Sequence, residues 1–438
     1  MEKMVKIIVV FIGLYVAQVW ALEGVSQVTL KNGLNIIVKT DKRAPVFISQ
    51  LWYKVGSSNE KRPLTGVSHM LEHMMFKGTS DYKTGDFSKI IARNGGRENA
   101  FTSKDYTAYY QTMHKSKLAL ALKMEADRMR HLQLSSDEFE KERKVVIEER
   151  RLRIEDNPNA KVAEHLNLIS FAKKGAYHAP VIGFQEDIEG YKLSDLRTWY
   201  ETYYAPNNAT LVVVGDVDAE EVIALARQYF GAYKSSANID NIDNPSITQT
   251  GQSHVLKLKA ELPFSILSFP VPSLKTATDK HRAYALNMLA FVLDNGLSKT
   301  LVREQQIASS IGVGYGLYDK YDTLLTLSFI PAKGVSDEVV LSAIKTQVAE
   351  LIKKPTVIEA ELLRTKIQLE ANFVFEQDHI GTQSYYLGML ATVGLGIETL
   401  FSYVDKMRVV SAEDIAQVAK QYLHFSAANS VVLIPQGD

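Results

Sequence analysis

The feature that most constrains the fold is a helix-then-strand unit that occurs twice along the 438-residue chain. The segments LSDLRTWYETYYAPNNATLVVV and AEDIAQVAKQYLHFSAANSVVLI align with one extra residue in the second. Asp195 then meets Asp414, Tyr203 meets Tyr422, and a valine-rich strand follows in both. Two unrelated units of this kind could match by chance, but a polar segment midway favours an internal duplication.

That midway segment is YKSSANIDNIDNPSITQTGQ, residues 233–252. It is rich in Asn, Ser, Asp and Thr and has almost no hydrophobic periodicity, which is typical of a linker. The sequence therefore predicts an N-terminal domain over 22–232, a linker over 233–253 and a C-terminal domain of the same α/β fold over 254–438.

Local patterns predict the elements of the first domain. A hairpin is expected at Asn32-Gly33, because Asn-Gly is the strongest short turn signal between two apolar runs. A helix is expected from Pro63 to Lys77, and the segment RENAFTSKDYTAYYQTM is expected to form paired strands. Two long helices follow, SKLALALKMEADRMRHL and SSDEFEKERKVVIEERRLRIED.

Charge and cysteine content exclude several classes of function. Lys plus Arg equals Asp plus Glu at 50 each, whereas nucleic-acid-binding proteins usually carry a basic excess. The absence of cysteine excludes disulfides, thiolate metal ligands and a cysteine nucleophile. No nucleic-acid partner is expected.

The first 21 residues resemble a secretory signal. MEKMVK supplies lysines, and an apolar run follows. The segment VWA then ends at Ala21 and has small residues at the two positions that a signal peptidase recognises. We expect a cleaved signal, export across the inner membrane and a periplasmic location, with no stable membrane span after cleavage. An uncleaved anchor is the alternative, although the apolar run is short against the roughly 20 residues that span a bilayer.

The stretch HMLEH indicates a metal site. On a helix, His69 and His73 lie one turn apart on one face, and Glu72 lies beside them. Zinc accepts two such histidines, and a neighbouring glutamate could act as the general base for an attacking water. The same residues could also form the polar stripe of an amphipathic helix.

A catalytic zinc site usually has three protein ligands, so a third is missing from this stretch. Without cysteine it should be His, Asp or Glu. Glu142 and Glu149 are two helical turns apart in EKERKVVIEERR and share a face. Periodicity alone does not separate Glu149 from Glu148, and the helix could equally be a charged, solvated surface.

The chain resembles the pitrilysin/insulinase family of zinc metallopeptidases (inverzincins), in the short bacterial branch related to the mitochondrial processing peptidase. The likeness covers nearly all of the chain after the signal, and its most specific parts are GVSHMLEHMMFKGT, NGGRENAFTSKDYTAYY, ERKVVIEERR, and PVIG with YYAPNNATLVVVGDV. The resemblance implies an α+β fold of two homologous domains, each with a mainly antiparallel sheet packed by helices, arranged as a clam-like half chamber.

The resemblance also assigns roles to the candidate residues. It implies that His69, His73 and Glu149 hold one Zn²⁺, that Glu72 is the catalytic general base and that Glu142 is a supporting acid. It implies that ENAFTS is an edge strand on which Asn99 and Ala100 bind the substrate backbone. Many relatives carry an arginine and, seven residues later, a tyrosine that bind the substrate carbonyl. Here Arg303 matches, but Ser310 occupies the tyrosine position.

These observations predict a secreted zinc metalloendopeptidase that cleaves peptides or unfolded segments. The resemblance implies a dimer, either a homodimer or a heterodimer with a related chain that lacks the zinc site. Because Ser310 replaces the tyrosine, this chain is expected to be the zinc-bearing subunit of an unequal pair. The alternatives are a self-sufficient homodimer, a non-catalytic zinc-containing assembly or binding subunit, and a processing peptidase dedicated to one client.

Overall fold

A computed structural model describes residues 20–22, 24–173, 175–237 and 247–436. Residues 1–19, which carry most of the predicted signal peptide, lie outside the described residues, as does the middle of the predicted linker. The twelve strands of the described residues are β1 (Trp20–Leu22), β2 (Val25–Thr29), β3 (Asn35–Thr40), β4 (Val46–Tyr53), β5 (Arg97–Thr102), β6 (Thr107–His114), β7 (Ala209–Gly215), β8 (Ser253–Lys259), β9 (Phe264–Val271), β10 (Ala308–Tyr315), β11 (Thr323–Pro331) and β12 (Asn429–Gln436).

The strands form two sheets, and their order confirms the predicted mixed α/β class. The first sheet has the order β1-β2-β3-β7-β4-β6-β5, and the second has the order β10-β11-β9-β12-β8. In each sheet only one pair is parallel, β3 with β7 and β8 with β12, and the other pairs are antiparallel. The run β3-β7-β4-β6-β5 therefore matches β8-β12-β9-β11-β10, as a duplicated fold requires.

Fourteen α-helices pack around these sheets in the described part of the chain. They are α1 (Val67–Met74), α2 (Asp86–Arg93), α3 (Leu118–His131), α4 (Ser136–Arg150), α5 (Pro158–Ser170), α6 (Gln185–Gly190), α7 (Leu193–Tyr203), α8 (Ala219–Phe230), α9 (Lys280–Leu297), α10 (Asp337–Lys353), α11 (Glu359–Glu376), α12 (Ile380–Val393), α13 (Glu398–Arg408) and α14 (Ala412–Tyr422). The aligned repeats thus form α7 and α14, each followed by a strand that belongs to the parallel pair of its sheet, β7 or β12.

The helix predicted from Pro63 begins later, at Val67. Gly66 precedes it with a φ of +84°, and a Cβ at this position would lie 2.3 Å from the carbonyl oxygen of Ile182. The buried Glu60 carboxylate accepts hydrogen bonds from the backbone N–H groups of Gly66 and Ser68. A side chain from outside the helix therefore satisfies its first free donors, which the local sequence pattern does not reveal.

One helix of each half packs on the sheet of the other half. Helix α5 of the first half packs on the second sheet through Val162 and Leu166, and α12 of the second half packs on the first sheet. Gly388 of α12 lies so close to the indole of Trp52 that a Cβ there would be 2.1 Å from the ring. Each sheet therefore needs an element from the other half to bury its second face, and the domain boundaries at 232 and 254 stay a prediction.

Within the described ranges, no single helix is long and apolar enough to cross a membrane. Helices α12 and α13 pass the length and composition test only together, and they are bent by 98° with respect to each other.

Candidate metal centre

Two helices bring three metal-ligating side chains together. On α1, His69 and His73 project one turn apart with their ring centroids separated by 4.8 Å. On α4, Glu149 faces them, with its Oε2 atom 3.6 Å from His69 Nε2 and 3.3 Å from His73 Nε2. Helix α4 is begun by Ser135, whose side chain accepts the backbone N–H of Glu138, and it has acidic residues in its first turn.

This arrangement fits a zinc ion. Tetrahedral coordination with bonds of about 2.0–2.1 Å places neighbouring ligand atoms about 3.3–3.4 Å apart, close to the distances from Glu149 to the two histidines. The Glu149 Oε2 atom is buried and has no hydrogen-bond partner among the described residues, as expected of an atom that faces a cation. Burial lowers the pKa of His69 to about 4, which leaves a neutral ring with a free lone pair.

The structure separates Glu149 from Glu148, which periodicity could not do. The Glu148 side chain is 61% exposed and pairs with Arg151, whereas Glu149 is 20% exposed and faces the histidines. The second oxygen of Glu149 pairs with Arg153 at 2.8 Å, which fixes the direction of the carboxylate. In the described part of the chain, His69, His73 and Glu149 form the single group of three or more side chains with ligand atoms close enough to hold a metal.

Glu142 supports His73 from behind. Its Oε2 atom lies 3.1 Å from His73 Nδ1, and its other oxygen pairs with Lys77 at 2.5 Å. Although burial opposes protonation, the nearby carboxylates of Glu149 and Glu142 raise the pKa of His73. With a cation at Nε2, the remaining N–H at Nδ1 would donate to Glu142, which fixes the ring tautomer and orientation.

We therefore expect Glu142→Gln to weaken zinc binding without abolishing it. Loss of a carboxylate partner behind a histidine ligand typically lowers metal affinity about 10- to 100-fold. Competition with a chelating dye measures this change directly. Glu140→Gln on the exposed side of the same helix is the matched control, and equal affinities of the two variants would contradict the supporting role.

Glu72 lies beside the ligands and is held by a residue that sequence analysis missed. The Thr102 hydroxyl donates a hydrogen bond of 2.5 Å to Glu72 Oε2, which leaves Oε1 for another partner. Burial raises the pKa of Glu72, so the carboxylate is a stronger base than an exposed glutamate. Thr102 lies 30 residues further along the chain, on β5, where a single threonine gives no sequence signal of this contact.

Thr102→Val should lower kcat about tenfold and leave KM and zinc affinity nearly unchanged, because one hydrogen bond to a charged group is lost. Thr102→Ser keeps the hydroxyl and should restore most of the activity. Steady-state kinetics with one fluorogenic peptide compares the three proteins. A valine variant with the kcat of the unmodified protein, or a serine variant as slow as the valine one, would contradict this role.

Strand β5 borders the same site. A cavity of about 720 Å³ contains the three ligands and Glu72 together with the segment Asn99–Thr102. Strand β5 is the last strand of its sheet and pairs on one side with β6, so its other edge is open in the described structure. Asn99 and Ala100 thus lie on an edge strand beside the metal cluster, and their binding of the substrate backbone stays a prediction. Arg303 is exposed and does not line this cavity, and Ser310 lies on the edge strand β10 of the second sheet.

This chain is similar to known proteins in both sequence and architecture. Residues 35–180 match "Insulinase (Peptidase family M16)" and residues 191–369 match "Peptidase M16 inactive domain". The chain is 31% identical to the zinc protease PqqE of Helicobacter pylori over 425 residues, which covers 93% of this chain and 92% of that protein. It belongs to the insulinase family of peptidases, M16.

Other relatives agree with this assignment. An uncharacterized zinc protease of Bacillus subtilis, YmxG, is 25% identical over 91% of this chain and 95% of its own length. The crystal structure of a protease from Helicobacter pylori superposes with a TM-score of 0.88 at 28% identity and covers 95% of this chain and all of that one. A "peptidase M16 inactive domain" from Pseudomonas fluorescens shares the fold, with a TM-score of 0.84 at 16% identity over 94% of this chain and 98% of that one. For this M16 chain, the family and the His-His-Glu cluster together identify the metal as Zn²⁺.

Proposed function

We propose that this M16 chain is an exported zinc-dependent endopeptidase that cleaves extended peptides or unfolded segments. One observation carries the proposal: a buried general base, a three-ligand metal cluster and an open strand edge border one cavity. A purely structural metal site needs ligands but neither a base nor an unpaired strand beside it. The position of Glu72 therefore favours catalysis over a non-catalytic assembly subunit.

Each group at the site has a definite task. When bound by His69, His73 and Glu149, zinc would polarise the scissile carbonyl and acidify the attacking water. Glu72 Oε1 accepts the proton of that water and later delivers it to the departing amine nitrogen. Thr102 holds Glu72 in place through Oε2 while these proton transfers occur at the other oxygen.

Strand β5 supplies substrate binding without demanding a particular sequence. A peptide added to its open edge would gain main-chain hydrogen bonds beside Asn99 and Ala100, which needs an extended backbone and not a given side chain. Folded proteins would be poor substrates because their backbone N–H and C=O groups are already paired.

Backbone methylation tests this binding mode. In a fluorogenic peptide of about 20 residues, N-methyl groups at alternate positions near the cleaved bond remove the donors that face β5. We expect the methylated peptide to have a much higher KM than its parent, and methylation at the intervening positions to matter less. Equal cleavage of all three peptides would contradict strand addition. Cleavage of one peptide sequence among many unrelated ones would favour a dedicated processing peptidase.

The proposal also includes export of this chain and its pairing with a second chain. Export rests on the apolar N-terminal segment ending at Ala21. Pairing with a related chain rests on Ser310 at the usual tyrosine position, because loss of one donor to the developing oxyanion typically costs about 100- to 1,000-fold in turnover. Purified Ser310→Tyr protein should gain activity if the chain pairs with itself, whereas an unchanged rate would favour a partner that brings its own tyrosine.

A further inference from the structure

A second cavity of about 480 Å³ lies between the two halves of the molecule, apart from the zinc ligands. The turn after β5, Ser103–Tyr106, forms one wall, and Tyr315–Asp319 at the end of β10 forms another. Helices α9, α11, α12 and α13 complete the lining. The proposed zinc chemistry uses none of these residues.

Aromatic rings form much of the lining of this cavity. The Tyr318 and Tyr403 ring centroids are 6.4 Å apart, and the Phe373 and Tyr403 centroids are 6.3 Å apart. Tyr386 completes the group and contacts the ring of Tyr385 at a centroid distance of 5.7 Å. Clustered aromatic rings bind organic cations through the negative faces of their π systems.

The charged residues of the lining are mainly acidic. They are one lysine, Lys104, and three carboxylates, Asp105, Asp319 and Glu376. Lys104 pairs with Asp319 at 3.7 Å, and Asp105 accepts hydrogen bonds from the Tyr177 hydroxyl and the backbone N–H of Lys320. The carboxylate that remains is Glu376.

Glu376 is the last residue of α11, where the helix dipole disfavours a negative charge. Tyr386 lies beside it in the lining, and burial together with the Glu376 charge raises the pKa of Tyr386 to about 12. No Lys, Arg or His lies within ion-pair distance of Glu376 in the ranges that the structure describes. An acid placed against a helix dipole and among aromatic rings, with no cation of its own, fits an external cation.

The cavity also lies close to the substrate strand. Ala100 borders the zinc site and Lys104, in the turn after β5, borders this cavity, so the Cα atoms of these two residues are at most about 13 Å apart. A peptide added to β5 could therefore reach both sites within a few residues. For a peptide antiparallel to β5, the residues on the N-terminal side of the cleaved bond would point toward this cavity.

We infer that this cavity is a binding subsite for a cationic group of the peptide, an ammonium or a guanidinium, which sits among the tyrosines against Glu376. The inference rests on the proposed peptidase function and adds a preference in substrate choice. A free N-terminus and a lysine or arginine side chain supply the same chemistry, so the experiment must distinguish these two sources.

Peptide binding to the Glu72→Gln full-length chain tests the subsite without any cleavage. Fluorescence anisotropy would compare labelled peptides with lysine or its neutral isostere norleucine three to five residues from the cleaved bond on the N-terminal side. A second pair carries a free or an acetylated N-terminus at that distance. Each peptide is measured again with Glu376→Gln added, and with Glu359→Gln at the far end of α11 as the charge-matched control.

We expect about tenfold tighter binding of the lysine or free-amine peptide than of its neutral partner. Glu376→Gln should remove this difference, and Glu359→Gln should preserve it. Equal binding of charged and neutral peptides, or a preference that survives Glu376→Gln, would overturn the subsite. If the unmodified chain cleaves no peptide although the Glu376-dependent preference is present, the subsite stands and the proposed peptidase activity fails for the chain on its own.

Discussion

Glu72→Gln should abolish peptide cleavage while zinc stays bound. General acid–base catalysis contributes about 100- to 10,000-fold to turnover, and the amide cannot take a proton from water at neutral pH. The glutamine has the same shape, and its carbonyl oxygen can still accept the hydrogen bond from Thr102. The fold and the three metal ligands should therefore be unaffected.

The measurement pairs kcat with zinc content per chain for the unmodified protein and the variant. Unchanged turnover would show that another group acts as the base. If zinc and turnover were both lost, the substitution would have damaged the metal site itself. The loss of turnover would then be no evidence that Glu72 is the general base.

Glu149→Gln should remove zinc as well as activity. A neutral amide oxygen is a much weaker ligand than a carboxylate, and its NH₂ group would face Arg153 or the histidines. Zinc affinity should fall by more than the roughly 10- to 100-fold expected for Glu142, which only supports a ligand.

Glu148→Gln is the matched control, since it changes the same charge one residue away at an exposed position paired with Arg151. This variant should bind zinc and cleave peptide like the unmodified protein. If Glu148→Gln lost zinc and Glu149→Gln kept it, the ligand assignment would be wrong.

The sequence predicted the parts of the site that lie close together along one helix. His69, Glu72 and His73 share one face of α1, so their spacing alone indicated a metal and a base. The third ligand came only from the family resemblance, because Glu148 and Glu149 differ in tertiary packing and not in local pattern. Thr102 was missed for a related reason: it meets Glu72 only when β5 lies beside α1.

For the fold as well, the sequence predicted features that depend on local pattern and did not predict contacts between elements that are distant along the chain. The repeated helix-and-strand unit correctly predicted two related halves, because each repeat keeps its own periodicity and strand pairing. The exchange of α5 and α12 between the halves was not predicted, since an apolar helix face does not specify which sheet will cover it. The helix start at Val67 was missed because Glu60 supplies the cap from outside the helix.

Zinc titration of the metal-free chain tests the central claim most directly. The protein would be stripped with a chelator and titrated with zinc, while cleavage of an unstructured peptide of about 20 residues is followed. We predict that the rate rises in proportion to added zinc and levels off at one equivalent per chain. A chain that cleaves equally well without zinc would contradict the assignment of this chain as a zinc endopeptidase. A chain that binds one equivalent of zinc and gains no cleavage would contradict activity of the chain on its own and leave only the unequal pair proposed from Ser310.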